Sequence, residues 1–107
     1  MSERTSGDHA PALGREALRL LEEHHQFPGE YMFKVIGFAG EGFAQTVRAA
    51  AESVLGPLGD DTRQVRCRPS SGGRYLAVTL EVQVTGGRQV LDIYAALKRV
   101  EGVVVLV

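Results

Sequence analysis

Residues 62–85, TRQVRCRPSSGGRYLAVTLEVQVT, contain two segments of alternating side chains separated by a turn. Apolar and polar side chains alternate in residues 62–68 and again, more regularly, in residues 75–85. A period of two is typical of a strand that buries one face. The Pro-Ser-Ser-Gly-Gly run at 69–73 favours a tight connection. We therefore predict a β-hairpin with its turn at residues 69–73.

One strand and one helix lie on each side of this hairpin. Residues 31–38, YMFKVIGF, are rich in aromatic and β-branched side chains, which favours a strand. Residues 40–55 and 90–97 place apolar side chains at helical spacing, and residues 103–107, VVVLV, are a short apolar strand. The order β-α-β-β-α-β predicts an α+β, ferredoxin-like split fold with a four-stranded antiparallel sheet and two helices on one face. We expect the strands at 31–38 and 75–85 to be central.

The N-terminal part divides into a tail and a helix. Residues 1–12, MSERTSGDHAPA, lack periodicity and are predicted to be a mobile tail. Residues 13–26 form a short amphipathic helix in this interpretation, because their apolar side chains recur at helical spacing between charged ones. Residues 27–107 are the ferredoxin-like domain.

The composition excludes several classes of protein. The 107 residues are 44% apolar and carry a formal net charge of −1, so there is no overall attraction to nucleic acid or to an anionic membrane. A single cysteine excludes an internal disulfide framework. No apolar run approaches the ~20 residues of a membrane helix, and no signal-peptide pattern is present. We expect a cytoplasmic protein.

Three motifs carry a resemblance to a known family. Phe27-Pro28, the strand segment MFKVIG at 32–37 and the R-P-S-S-x-G-x-Y pattern at 68–75 resemble the YbeD-like family of small bacterial proteins, also called domain of unknown function 493. The likeness runs from about residue 21 to residue 107. It departs from the family in a longer N-terminal tail and in Glu41-Gly42 at the start of the first domain helix.

The resemblance implies a ferredoxin-like fold similar to the ACT regulatory domains, which bind small ligands. It implies no agreed biochemical activity and supplies no catalytic residues. The leading hypothesis is therefore a non-catalytic, ACT-like binding or regulatory module for a small ligand or a partner protein in a bacterial cytoplasm. We expect no cofactor and no membrane partner.

A glycine-rich loop is one candidate ligand site. Gly37, Gly40 and Gly42 lie between a strand and a helix, whose N-terminus attracts anions. The spacing matches neither a dinucleotide-binding nor a P-loop motif, and turn geometry alone is the other interpretation. Acylphosphatases share this fold and place an arginine just inside the first helix, but residues 42–45 read Gly-Phe-Ala-Gln. Without that charge the transferring group is not stabilised, so we expect no enzyme.

Basic residues gather on one predicted sheet face. By strand alternation Lys34, Arg66 and Arg68 share the face opposite the helices with Tyr75. A cationic sheet face with an aromatic side chain is similar to the platform on which RNA-recognition domains stack bases. A small nucleic-acid-binding protein is therefore the alternative function, although a solvated face partly neutralised by Glu81 explains the same pattern.

The predicted turn could bind an anion. Ser70 and Ser71 offer hydroxyl groups, and Arg68 and Arg74 lie at either end of the turn. Such a turn suits a carboxylate or phosphate group of a ligand or partner. Alternatively, the serine side chains only form hydrogen bonds within the turn.

The open face is also predicted to be apolar enough to need a cover. Met32, Ile36, Val104 and Leu106 are assigned to it by alternation. Exposed apolar patches mark contact surfaces, so we expect either the N-terminal helix or a second copy of the chain to cover them. A homodimer through this open face or through an edge strand is the corresponding partner hypothesis.

The histidines and the cysteine do not predict a metal site. His24 and His25 are adjacent on a helix and point in different directions, and with His9 and Cys67 they give none of the usual ligand spacings. Cys67 alternates with Val65, which predicts a small buried hydrophobe.

Overall fold

A computed structural model describes residues 14–59 and 63–107 of the chain. The predicted tail at residues 1–12 lies outside the described residues. Residues 14–24 are helical, and we call this helix α1. The remaining elements follow in the order β1 (Gly29–Phe38), α2 (Phe43–Leu55), β2 (Val65–Pro69), β3 (Tyr75–Val84), α3 (Gly87–Lys98) and β4 (Val103–Leu106).

The four strands form one antiparallel sheet in the order β2-β3-β1-β4. This order confirms the predicted fold class, with the two long strands at the centre and the two short strands at the edges. The registers place Lys34 of β1 and Arg66 of β2 on either side of Thr79 of β3. Directly opposed residues share a face of the sheet, so the register decides which side chains lie together.

The core lies between the sheet and helices α2 and α3. Alternation along β1 buries Phe33 and Val35 completely and leaves Met32 and Lys34 exposed. Fully burying one such side chain contributes ~1.5–3 kcal/mol, so the helix-facing side supplies the apolar stabilisation of the fold. The buried core residues are Phe33, Val35, Phe43, Val47, Ala51, Val78, Leu80, Val82, Val84, Val90, Ile93, Leu97 and Val100.

Helix α1 packs against the start of α3. A Cβ atom at Gly87 would lie 2.8 Å from Leu18 Cδ1 and 3.5 Å from Leu21 Cβ, so the missing side chain lets the two helices approach closely. After α1 the His25 ring lies 5.0 Å from the Tyr31 ring. Of the two covers predicted for the open sheet face, the N-terminal helix is therefore wrong, because its apolar side chains dock beside α3; a second copy of the chain stays a prediction.

The pairing of β4 with β1 contains an irregularity. Val105 lies opposite Ile36, and Leu106 lies opposite Val35, whose side chain faces the helices. The register shifts between Ile36 and Gly37, which is a β-bulge. The assignment of Leu106 to the open face is therefore wrong; Leu106 packs against the core, and Val105 takes its place on the open face.

Among the described helices, none has the length and apolar character required to cross a membrane.

Candidate binding site on the open sheet face

We call the side of the sheet turned away from α2 and α3 the open face. Across its middle, Lys34, Thr79 and Arg66 lie side by side on β1, β3 and β2. Arg66 binds the carboxylate of Glu81 and donates to the carbonyl oxygen of Arg63 at 2.9 Å. The positive charge of Arg66 is therefore largely neutralised within the sheet, as the alternative of a partly neutralised face predicted.

The next row of the open face is less polar. Ile36 of β1, Ala77 of β3 and Arg68 of β2 are neighbours there, and Val105 of β4 lies opposite Ile36. Within the described residues neither Arg68 nor Lys34 forms an ion pair. In the part of the chain that the structure describes, the open face therefore presents two cations without a carboxylate partner beside apolar side chains.

A shallow hollow of about 370 Å³ lies at the hairpin end of this face. Ile36 and Ala77 supply apolar surface, while Arg68 and the turn supply polar groups. Its lining residues are Ile36, Arg68, Pro69, Ser70, Ser71, Tyr75 and Ala77. The structure thus brings together Arg68, Ser70, Ser71 and Tyr75, which were predicted as candidate binding residues on separate grounds.

The two serines differ in their hydrogen bonds. Ser70 Oγ accepts from the backbone N–H of Tyr75 at 3.1 Å, and the Ser70 carbonyl accepts from the Gly73 N–H at 2.9 Å. Gly73 has φ of 77°, a conformation that favours glycine. The hydroxyl of Ser70 therefore holds the turn, whereas the exposed Ser71 lies at the rim of the hollow.

Arg74 is not among the residues that line the hollow. Its side chain is exposed, and its carbonyl oxygen accepts from the Ala39 N–H at 2.8 Å. Arg74 thus ties the hairpin to the segment that follows β1 through its backbone.

The glycine loop is shaped by packing. Gly37 is buried against the ring of Phe43, and Gly42 caps α2 with φ of 86°. Glu41 and Glu101 line the depression of about 290 Å³ beside this helix end, together with Gly40 and Gly42. Two carboxylates disfavour an anion, whereas the packing at Gly37 and the positive φ at Gly42 give those two glycines a structural role.

Phe38 is a site residue that the sequence analysis did not nominate. Its side chain is 55% exposed, and its ring lies 5.5 Å from the ring of Tyr75, next to the hollow. Alternation along β1 places Phe38 on the same face as Lys34 and Ile36, and this pattern could have identified it from the sequence. The aromatic pair extends the apolar surface beyond Ile36.

The prediction for Cys67 is wrong, because its side chain is exposed. Cys67 lies opposite Val78 on the helix-facing side, but the helices do not extend over this part of the edge strand β2. The described residues contain no cluster of three or more His, Cys, Asp or Glu side chains placed to bind a metal. His24 and His25 instead line an apolar depression between α1 and α3, together with Leu20 and Tyr94.

Solved structures with the same architecture define the class as an ACT-like ferredoxin fold. A solution structure of protein HP0495 from H. pylori superposes with a TM-score of 0.60 over 78% of this chain and 85% of that chain, at 13% identity. The ACT domain from GTP pyrophosphokinase of Chlorobium tepidum superposes with a TM-score of 0.52 over 73% of this chain and 84% of that domain, at 12% identity. At these identities the likeness concerns the fold alone.

The chain belongs to the family described as protein of unknown function (DUF493), whose model matches residues 22–107. A UPF0250 protein of Shewanella halifaxensis is 37% identical over 82 residues, which cover 77% of this chain and 89% of that relative. A UPF0250 protein of Azotobacter vinelandii is 39% identical over 74 residues, covering 68% and 78%. The resemblance drawn from the three motifs is confirmed.

Proposed function

We propose that the protein is a non-catalytic binding module whose open face receives an acidic, partly apolar segment of a partner protein. One observation carries the proposal: Lys34 and Arg68, which form no ion pair within the described residues, lie beside exposed apolar side chains on the sheet face opposite α2 and α3. Met32 and Phe38 are 56% and 55% exposed there. In the bacterial cytoplasm, such a module would regulate the protein that it binds.

The shape of the surface favours a protein segment over a small molecule. Small-molecule sites are concave and bury ~70–90% of the ligand surface. The hollow at the hairpin is shallow, and exposed apolar side chains also lie outside it, at Val105 on β4 and, beyond Lys34, at Met32 on β1. A protein interface needs ~800 Å² from each partner, which a broad sheet face supplies more readily than one hollow.

The charge of the surface favours carboxylates on the partner. Arg68 lies at the rim of the hollow, where a guanidinium group binds a carboxylate through two parallel hydrogen bonds. Lys34 lies one row further along the same face. Met32 adds a flexible apolar side chain that adapts to different partner surfaces. Acidic side chains opposite Arg68 and Lys34, followed by an apolar residue next to Met32, would satisfy all three.

The chemistry of the hollow supports binding without catalysis. Its seven lining residues include no carboxylate and no imidazole, the groups that most often act as general acids and bases. One of its two serine hydroxyls already accepts a backbone hydrogen bond.

Affinity capture from a native bacterial lysate tests the proposal, with the co-eluting proteins and metabolites identified. The double variant Lys34→Ala/Arg68→Ala should lose the captured protein, whereas Arg88→Ala, an exposed arginine on α3, should keep it. Peptides from the captured protein should then bind the chain, shift the NMR signals of β1 and β2 and weaken at least tenfold with the double variant. Binding that maps to another surface, or a captured metabolite in place of a protein, would overturn the proposal.

Single-stranded RNA tests the alternative function. Non-specific nucleic-acid binding weakens steeply with salt, with a slope set by the number of phosphates neutralised. We expect no binding at low salt, because Arg66 is paired with Glu81 and the Tyr75 ring is in contact with Phe38. Salt-sensitive RNA binding that disappears when Lys34, Arg66 and Arg68 are all changed to Ala would instead support the hypothesis of a nucleic-acid-binding protein.

A further inference from the structure

The two edges of the sheet have opposite character. The β2 edge carries Arg66 and Arg68 and ends at Pro69, and charges and proline both oppose the pairing of a further strand. The β4 edge, Val103–Leu106, is VVVL and carries neither. Val104 and Val105 are nevertheless 50% and 42% exposed. The β4 edge therefore lacks the charges and the proline of the β2 edge, and only its short length and the bulge opposite Ile36 and Gly37 limit the pairing of a further strand there.

The hydrogen bonds of β4 show which backbone groups point outwards. The Lys34 N–H donates to the Val107 carbonyl at 3.0 Å, and the Val107 N–H donates to the Lys34 carbonyl at 2.9 Å. In an antiparallel pair, residues that exchange both bonds alternate with residues whose polar groups point away. Leu106, opposite Val35, therefore directs its N–H and C=O to the outer edge of the sheet.

We propose that a second copy of this chain pairs its β4 with this β4, antiparallel about a two-fold axis. The pairing would join the two four-stranded sheets into one and would satisfy the outward backbone groups of both copies. A two-fold axis places identical surfaces together, so a strand that carries no charge meets no repulsion from its copy. Neighbouring β-branched side chains such as these valines also stabilise a cross-strand contact.

The charges at the two ends of β4 favour the antiparallel orientation. Glu101 is exposed just before β4, and Lys34 lies on β1 beside Val107, at the other end. Antiparallel pairing brings Glu101 of one copy to within about two strand spacings, ~10 Å, of Lys34 of the partner subunit. Parallel pairing would instead bring the two Glu101 side chains together.

The size of the contact predicts a weak dimer. Interfaces at the low end of the size range, below ~1,200 Å², are transient, and β4 is only four residues long. Val105 lies on the open face, so pairing would also make the apolar surfaces of the two open faces continuous. Dimerisation can be measured with the purified chain alone, so it is independent of the proposed function.

Sedimentation of the full chain over roughly a thousandfold range of concentration tests the pairing, since self-association follows mass action. We expect a monomer–dimer equilibrium. Val104→Lys should weaken the dimer at least tenfold, and Val104→Thr, which keeps the β-branched shape without a charge, should change it less than threefold. Met32→Lys places the same charge on the central strand β1 and should leave the dimer intact. Circular dichroism verifies that each variant is folded.

Amide hydrogen exchange distinguishes edge pairing from association through the open face. The Leu106 amide should become protected as the protein concentration rises, whereas the Val107 amide, bonded to Lys34 within one copy, should be protected at every concentration. A chain that stays monomeric throughout the range would overturn the proposal. So would a dimer that Met32→Lys disrupts and Val104→Lys does not, or a Leu106 amide whose exchange is independent of concentration.

Discussion

The ring of Phe43 fills the space in which a side chain at Gly37 would lie. A Cβ atom at residue 37 would be 2.6 Å from Phe43 Cε1 and 2.7 Å from the carbonyl oxygen of Gly102. Gly37 therefore lets α2 and the start of β4 approach β1 closely. The glycine that the sequence suggested as part of a ligand loop has a packing role.

Gly37→Ala should destabilise the fold. The added methyl group must displace an aromatic ring and a backbone carbonyl, and overpacking of this kind costs about 1–3 kcal/mol. Urea unfolding measures the loss. Gly40→Ala is the matched control in the same loop, because a Cβ atom there meets nothing within 4 Å. Equal effects of the two substitutions would contradict the packing role of Gly37.

Gly87→Leu should detach α1 from α3. The new side chain would occupy the position of Leu18 and Glu22, whose atoms lie 2.8 and 3.2 Å from a Cβ at residue 87. We expect faster amide exchange in residues 14–24 and a loss of about 1–3 kcal/mol, the usual cost of overpacking. Gly86→Leu, where a Cβ atom has open space, should leave exchange in α1 unchanged. Slow exchange in α1 of the Gly87 variant would show that the contact is not needed for docking.

The sheet order and much of the core were predictable because they depend on local periodicity. Alternation in β3 and β1 distinguishes a buried face from an exposed one, and the hairpin sequence fixes which strands are sequential neighbours. The same alternation placed Lys34 and Arg68 on one face. A period of two is a property of the strand itself, so no knowledge of distant contacts is needed.

The errors come from features that depend on neighbouring elements. The bulge opposite Ile36 and Gly37 shifts the register of β4, so simple counting assigned Leu106 to the wrong face. Cys67 has the right parity for burial, but the edge strand extends beyond the helices that would cover it. The docking of α1 depends on a missing side chain at Gly87, which lies far away in the sequence.

The stability of the fold should fall at alkaline pH through Tyr94. Burial raises the pKa of the Tyr94 phenol above its ordinary value of 10.0, and the hydroxyl contact with Tyr31 at 3.3 Å adds to the shift. Because the folded pKa is the higher one, the unfolded chain ionises first, and stability present below pH 10 is lost as the pH rises further.

Denaturant unfolding of the parent chain and of Tyr94→Phe between pH 9 and 11 measures this loss of stability. The variant lacks the phenol that ionises, so its stability should fall less steeply above pH 10 than that of the parent chain. Tyr75→Phe, on the open face, serves as the control for losing any one tyrosine. Parallel pH profiles for the parent and Tyr94→Phe would contradict the assignment.

Ser70→Ala and Ser71→Ala separate the structural from the binding role of the turn. Ser70 Oγ accepts the Tyr75 N–H, so its removal should cost about 0.5–1.5 kcal/mol, the net value of one such bond. Ser71 is exposed at the rim of the hollow, and its removal should leave the thermal midpoint unchanged. Thermal unfolding of the two single variants gives this comparison directly.

Partner capture with the same two variants completes the test. If Ser71 contacts the acidic segment beside Arg68, Ser71→Ala should weaken capture without any change in stability, because a lost hydrogen bond across the interface costs affinity and leaves the fold intact. Ser70→Ala should weaken capture only as far as it loosens the turn, and Ser70→Thr, which retains a hydroxyl, should restore both properties. If Ser71→Ala captures as well as the parent chain while Arg68→Ala does not, the contact belongs to the guanidinium group and the turn acts only as its support.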